Sequence, residues 1–391
     1  MMARFEYGTT NSADMERLLN ILGQCFMMSP EEGDTYVQWV GSENFRIFRQ
    51  GKEVVGGLAI LPFSQYWGGK PVPMAGIAAV GIAPECRATG AALAMMQNVV
   101  REIHSSGSAI SVLFPSVQGL YRKAGYEQGG NFCNWEIKTE SIQMGTPKLP
   151  LTSVSCESEI LHKLYQQQAP LNNGNLERNK LIWKEITRCS DKSGQVYAYL
   201  IGDSNYPQGY IVFIQRRSET SDYIQVRDWV TLTPAAVQSF WALLGNHRSQ
   251  IDTIRWRGAM IDALTLVLPE QTTKLKSSRL WMLRVVNVVS ALEKRGYPQN
   301  VQAELHLEVQ DDLLAENNGK FLLSVANGQG EVKKGGKGEF KLNIRGLASL
   351  YTGLFAPSQL QLAGKLEATE VAVAAAVQIF AGASPWMADF F

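Results

Sequence analysis

Between Asn44 and Pro84 the chain reads as almost unbroken extended structure, "NFRIFRQGKEVVGGLAILPFSQYWGGKPVPMAGIAAVGIAP". Turn signals at Gln50-Gly51-Lys52 and Gly68-Gly69 cut this run into three strands of a meander. The third strand ends on "GIAAVGIA" and runs straight into "PECRATGAALAMMQNVV" (Pro84–Val100), where the apolar residues change to helical spacing. A meander feeding a helix through one tight turn dictates a mixed α/β layer. The flanking chain fits it, with a strand over Arg4–Gly8, helices over Ala13–Phe26 and Gly90–Ser105, a buried strand over Ser108–Phe114 and a short helix over Gln118–Tyr126.

The turn itself spaces Arg87, Gly90 and Ala92 as R-x-x-G-x-A. A strand that turns sharply into a helix aims several backbone N–H groups at one point, with the helix dipole behind them, and so favours an anion. Small residues let the anion approach and Arg87 adds a fixed positive charge. A pyrophosphate fits that description. The other reading is a strand-to-helix turn whose small residues serve packing. There is no G-x-G-x-x-G and no G-K-[ST], so neither a Rossmann nor a P-loop site is signalled.

Two further segments follow. From about Met144, "MGTPKLPLTSV" suits a linker. Beyond it the first grammar recurs in outline: a helical stretch over Asn175–Cys189, a hairpin over Val196–Gln215, a strand over Tyr223–Leu232, a helix over Pro234–His247 and a strand over Ile251–Gly258. Where the first copy has R-x-x-G-x-A this one has "TLTPAA", with neither the arginine nor the glycine. In the last third, "QAELHLEV", "KFLLSVA" and "EFKLNI" are strands around the loop "NGQGEVKKGGKG", and the chain closes on helices and the apolar tail "SPWMADFF".

Composition removes whole classes of function. With 391 residues the chain exceeds one ordinary core, and its 37 basic and 36 acidic residues nearly cancel, leaving no footprint for nucleic acid or an anionic membrane. No apolar stretch approaches the roughly 20 residues of a membrane span, and no signal pattern opens the chain, so a cytoplasmic protein is expected. Cys25, Cys86, Cys133, Cys156 and Cys189 form no C-x-x-C pair and are expected to be free thiols. His104, His162, His247 and His306 are scattered singly, so no metal site is expected and acid–base chemistry must come from other groups.

The order of elements, with R-x-x-G-x-A after the fourth strand and "LYRKAGY" after the fifth, resembles the GNAT superfamily of acetyl-CoA-dependent N-acetyltransferases over roughly residues 1–145. The layout of the whole chain resembles the Eis (enhanced intracellular survival) family. The fold this implies is α/β (α+β), with tandem GNAT-type mixed-sheet domains, a catalytic one over 1–145 and a motif-less one over 146–290. A sterol-carrier-protein-like α/β domain over 291–391 completes it, ending in the active site.

Residue by residue, the resemblance implies that the backbone of Val80 and Ile82 pairs with the pantetheine arm, that the amides of Arg87, Ala88, Gly90, Ala91 and Ala92 hold the pyrophosphate, and that Ser116 lies near the thiol end. Ala88 and Thr89 stand where the family commonly has basic residues, so only the backbone cradle is kept. Acetyl transfer from a thioester to an amine needs a free amine, a donor for the oxyanion and a proton for the departing thiolate. The resemblance assigns the proton to Tyr121, the oxyanion donor to the Val80 N–H at a bulge, and the base to the α-carboxylate of Phe391, acting directly or through water; the other readings are a packed helix tyrosine with a satisfied hydroxyl and an apolar tail docked for stability. Tyr126 is expected to fill the core. Glu31, Glu32 and Asp389 could attract a cationic substrate or be merely solvated, and Phe26 and Trp39 could line its cleft or pack.

The expected enzyme acetylates primary amines of a polycationic small molecule such as an aminoglycoside, or the lysine side chains of a protein, and the family resemblance implies assembly as a hexamer, a trimer of dimers. The competing reading is a non-catalytic protein whose sterol-carrier-like domain holds a lipid.

Overall fold

The computed structural model describes residues 5–188, 194–218 and 221–391. Arg4, which opens the first predicted strand, and Cys189, which ends a predicted helix, lie outside the described residues. Cys25, Cys86, Cys133 and Cys156 are free thiols. The chain divides into two compact units, one of residues 5–129, 280–382 and 391, the other of residues 130–279 and 383–390.

In the first unit, β1 (Phe5–Thr9), β2 (Phe45–Gln50), β3 (Glu53–Trp67) and β4 (Lys70–Ile82) pair antiparallel in that order. Gly51, Gly68 and Gly69 have φ of +62°, +56° and +82°, the left-handed geometry that two-residue hairpin turns require. β5 (Ile110–Leu113) is parallel to β4, reached through α3 (Ala91–Ser105), and residues 282–285 of the strand Lys274–Val285 pair antiparallel with it on its other side. Met95, Met96, Val99 and Val100 of α3 are fully buried in one cluster with Phe48, Leu58 and Ile77 of the sheet. α4 (Gln118–Lys123) follows β5.

α1 (Ser12–Phe26) starts at an Asn11/Asp14 capping box and stops at Met27, whose φ of +56° ends it. α2 (Pro30–Val40) carries Glu31 and Glu32 in its first turn. Its sequence signal was complete: Ser29 caps, Pro30 takes the first helical position and Glu32 closes a capping box, with Ser29 N donating to Glu32 Oε2 at 2.8 Å and Glu32 N to Ser29 Oγ at 3.2 Å.

The same unit holds a five-stranded sheet, ordered Gln329–Lys334, Gly319–Ala326, Ala303–Gln310, Phe340–Asn343, Leu366–Ala368, with helices Val288–Lys294, Ile344–Thr352, Pro357–Leu362 and Glu370–Ile379. The strand Gln329–Lys334 lies inside the segment expected to be a loop, entered through the left-handed Asn327-Gly328 pair (φ +52° and +72°). Asn-Gly between apolar runs is a hairpin signal in its own right.

The second unit's sheet runs from residues 133–138 through Thr253–Gly258, Tyr223–Thr231, Tyr206–Arg216 and Val196–Asp203 to Leu151–Val154. Part of the expected linker is therefore a strand. Tyr223–Thr231 and Thr253–Gly258 are parallel and joined through the helix Pro234–Gly245, which repeats the β4–α3–β5 arrangement. Trp241, Trp256, Phe240 and Phe213 fill its core.

Candidate active site

β4 and β5 pair from Met74↔Ile110 to Ile77↔Leu113; β5 ends there, while β4 runs on to Ile82. Its register with β3 shifts in the same stretch, Ala59 facing Ala78 but Gly57 facing Gly81, so Ala79 and Val80 stand opposite Leu58 alone. This is a β-bulge, with Ala79 at φ +50°. An alanine in the left-handed region is held there by its surroundings, and such residues gather at functional sites. Ala79 was not singled out from the sequence, because nothing in its residue type signals positive φ. Val80 is half-buried beside it.

After β4 the chain makes one short turn over Pro84–Cys86 and enters α3. Arg87, Ala88, Thr89 and Gly90 are exposed, Ala88 and Gly90 have φ of +60° and +89°, and Ala91 and Ala92 open the helix. No side chain caps α3, which leaves its first N–H groups directed outward with the positive end of the helix dipole behind them. A Cβ built on Gly90 would meet nothing within 4 Å. The glycine thus serves the left-handed turn and keeps the approach clear. Arg87 folds back over the strand end, its Nε 3.3 Å from the Ile82 carbonyl and one terminal nitrogen 3.4 Å from Cys25 Sγ. Ile82 is itself buried, and its carbonyl also accepts from Cys25 at 3.5 Å.

The corresponding turn of the second unit is closed. Thr233 caps the helix Pro234–Gly245 with its hydroxyl, which accepts from Ala236 N at 3.2 Å and donates to Gln208 Oε1 at 2.6 Å, and Pro234 removes a further N–H.

Tyr121 lies on α4, buried, its ring edge-on to Tyr126 at 6.3 Å. Burial pushes its hydroxyl up to about 12, with a hydrogen bond to Ser116 pulling the other way. The Tyr126 hydroxyl is fully buried, 2.8 Å from Ser111 Oγ, which donates to the Ala75 carbonyl at 2.9 Å. Of the two tyrosines, Tyr126 is tied into the sheet, while Tyr121 is linked to Ser116 on the exposed loop after β5.

The ring of Phe391 packs against Phe63 at 5.1 Å and Phe114 at 5.8 Å, over Gly76 of β4. A Cβ at position 76 would lie 2.7 Å from that ring. Phe391 is 7% exposed, seated on the last paired residues of β4 and just beyond the end of β5. Gly76, Phe63 and Phe114 escaped sequence reasoning, since a seat for a distant residue leaves no local pattern.

Asp389 is corrected. It is buried, and Arg178 Nε donates to both its carboxylate oxygens at 3.0 and 3.1 Å, so the carboxylate is tied up internally and not offered to a substrate. The same guanidinium holds Asp228 at 2.7 and 2.9 Å and stacks over the Tyr165 ring at 3.7 Å. Burial pushes the Asp389 carboxyl above its usual range, with Arg178 opposing. Asp389 is an anchor for residues 383–390, together with Trp386 stacked on Trp229 and the Ala388 carbonyl accepting from Arg257 at 3.1 Å. Removing one partner of such a buried pair costs on the order of 3–5 kcal/mol.

Glu31 and Glu32 sit in the first turn of α2, exposed, and Glu32 is occupied by the capping box. Phe26 is exposed at the end of α1, and Trp39 is half-buried on α2 beside Tyr36 at 5.7 Å.

Residues 6–129 match a family model described as "Acetyltransferase (GNAT) domain", residues 174–285 match a second model of the same description, and residues 288–388 match "Sterol carrier protein domain". The solved structure of a GCN5-related N-acetyltransferase from Anabaena variabilis is 57% identical and superimposes with a TM-score of 0.97, covering 99% of this chain and 100% of that one. The chain therefore belongs to the GCN5-related N-acetyltransferases, enzymes whose GNAT domain takes acetyl-CoA as acyl donor. It is similar to N-acetyltransferase Eis of Mycobacterium tuberculosis, with 26% identity over 364 residues and 87% of each chain covered. It shares the fold of Eis1 from Mycobacterium abscessus, at a TM-score of 0.82 and 22% identity over 99% of this chain and 100% of that one. Within the superfamily it is an Eis-like acetyltransferase with two GNAT domains and a C-terminal sterol-carrier-protein domain. The non-catalytic lipid-binding reading gives way to an enzyme.

Proposed function

We propose that the chain acetylates primary amines of a polycationic small molecule, aminoglycoside-like, or lysine side chains, with the N-terminal GNAT domain (1–145) as catalytic unit, residues 146–290 as a GNAT-like domain without a cofactor cradle, and residues 291–391 as the sterol-carrier-like domain. The observation that carries this reading is the departure of β4 from β5 at Ile77, with a bulge at Ala79-Val80, directly before an uncapped helix N-terminus. The unpaired edge of β4 suits the amide-bearing arm of acetyl-CoA, and the turn from Arg87 through Ala88 and Gly90 to Ala91 and Ala92 suits its pyrophosphate. Acetyl-CoA supplies an acetyl group activated as a thioester.

The chain's own groups do the rest. Val80 N–H, turned by the bulge, donates to the oxygen on which charge develops. Tyr121, protonated throughout the neutral range, holds the proton that the departing sulfur needs, with Ser116 orienting its hydroxyl. The α-carboxylate of Phe391, ionised at neutral pH because its ordinary pKa is about 3.3–3.7, accepts the proton of the incoming ammonium. Glu31, exposed on α2, and the aromatic rings of Phe26 and Trp39 are candidates for holding a polycation. Hexameric assembly as a trimer of dimers, in the cytoplasm, belongs to the same reading. An amine panel assayed for acetyl-CoA-dependent thiol release tests it: turnover with polyamines, aminoglycosides or lysine peptides is expected, and none with any primary amine refutes it.

The capped, proline-blocked turn of the second unit leads to a further expectation. Calorimetric titration should give one acetyl-CoA per chain, and Gly90→Glu should abolish it, because the turn needs φ of +89° and an anion would then occupy the cradle. Two sites per chain would refute the closed second turn.

A further inference from the structure

Arg284 lies at the end of the strand Lys274–Val285 and Asp311 just after the strand Ala303–Gln310, and both side chains are shut off from solvent. One terminal nitrogen of Arg284 donates to both oxygens of Asp311, at 2.9 and 2.6 Å, and the other donates to the carbonyl of Ala124 at 2.8 Å. Its Nε makes no hydrogen bond. Asp311 is fixed in turn by Leu313 N at 3.0 Å and Asn317 Nδ2 at 2.9 Å. The guanidinium is therefore held by hydrogen bonds at both terminal nitrogens, and what it grips on the catalytic side is one backbone carbonyl.

That carbonyl belongs to the residue that ends α4. α4 has only six residues and no side-chain N-cap, so its placement must come from tertiary contacts. Its last turn closes on Tyr121 itself, whose carbonyl accepts from Ala124 N and from Tyr126 N, both at 3.0 Å. Gly125, at φ +88°, has the Arg284 guanidinium where a side chain would begin, so the Ala-Gly-Tyr turn is shaped around the arginine. A buried ion pair is weak evidence for stability, because an apolar replacement of similar volume serves as well or better. Here its geometry has another use.

We propose that Arg284, braced by Asp311, is a positioning residue for Tyr121. By holding the Ala124 carbonyl it fixes the end of α4, and with it the direction in which the Tyr121 hydroxyl points. The proposal rests on the reading of Tyr121 as the general acid, and it gives the last third of the chain a part in the chemistry of the first.

The test is a double-mutant cycle of Arg284→Lys with Tyr121→Phe, reading kcat for thiol release, KM for acetyl-CoA and the melting temperature. A lysine keeps the charge but cannot reach Ala124 and Asp311 with two separate nitrogens. Alone, Arg284→Lys is expected to lower kcat by about 10²-fold, the scale of a misplaced catalytic group, with KM for acetyl-CoA within about twofold. In the Tyr121→Phe background it should cost no further turnover, since the group it positions is gone. Equal losses in both backgrounds, or wild-type kcat in Arg284→Lys, overturn the proposal while leaving the acid assignment intact. Wild-type turnover in Tyr121→Phe overturns the acid assignment and this proposal with it. If Arg284→Lys does not fold, Asp311→Asn replaces it in the cycle, judged by the same non-additivity.

Discussion

Tyr121→Phe is expected to lower kcat by about 10²–10⁴, the usual contribution of a positioned proton donor, while acetyl-CoA binding stays nearly unchanged. The phenylalanine keeps the buried ring and its edge-on contact with Tyr126, so the loss is that of one hydroxyl. Tyr126→Phe is the control. It removes the bond to Ser111, but Ser111 still donates to the Ala75 carbonyl, so the cost is about 1 kcal/mol of stability and little turnover. The opposite pattern would put the acid on Tyr126. The pH dependence follows from burial: an acid works while protonated, and with its pKa pushed up to about 12 the Tyr121 hydroxyl is competent across the neutral and mildly alkaline range. A fall in kcat near pH 10, the ordinary tyrosine range, that disappears in Tyr121→Phe would contradict that environment.

Extending the chain past Phe391 is expected to reduce kcat/KM for acetylation by a comparable factor, about 10² or more, whereas the same extension before Met1 should be tolerated. An added residue turns the α-carboxylate into an amide, which carries no charge and is no base. The seat is also closed: the ring is packed against Phe63 and Phe114 and lies over a glycine with no space for a methyl group. Deleting Phe391 moves the carboxylate back by one residue, about 3.3–3.6 Å of extended chain, more than a hydrogen bond can span by stretching. It also empties the seat. Steady-state kinetics on untagged, N-extended, C-extended and Phe391-deleted proteins, with circular dichroism to confirm folding, decide the matter. Full activity in a folded C-extended protein would falsify the terminal base and move that role to a water chain or to Glu31.

What the sequence determined by itself is everything carried within a few residues. The turns at Gly51 and Gly68-Gly69, the meander they join, the helix after Gly90 and the blocked turn at Thr233-Pro234 all stand where residue type and spacing put them, because positive φ, capping and apolar period are local properties. The helix α2 and the Asn327-Gly328 hairpin are written in the same local terms, a capping box and a pair of left-handed residues. Tertiary structure alone decided the choice of partners. Residues 133–138 pair with Thr253–Gly258, and residues 282–285 pair with β5, so both pairings join strands far apart in the chain. Asp389 lies 211 residues from the arginine that binds it, and Arg284 lies 160 residues from the carbonyl it holds. Ala79 takes its positive φ, and Phe391 its seat on Gly76, only because distant chain surrounds them. A local pattern fixes which backbone conformation is cheap, but the free energy of a buried charge or a seated ring depends on what packs against it, and that is set only when the chain has closed on itself.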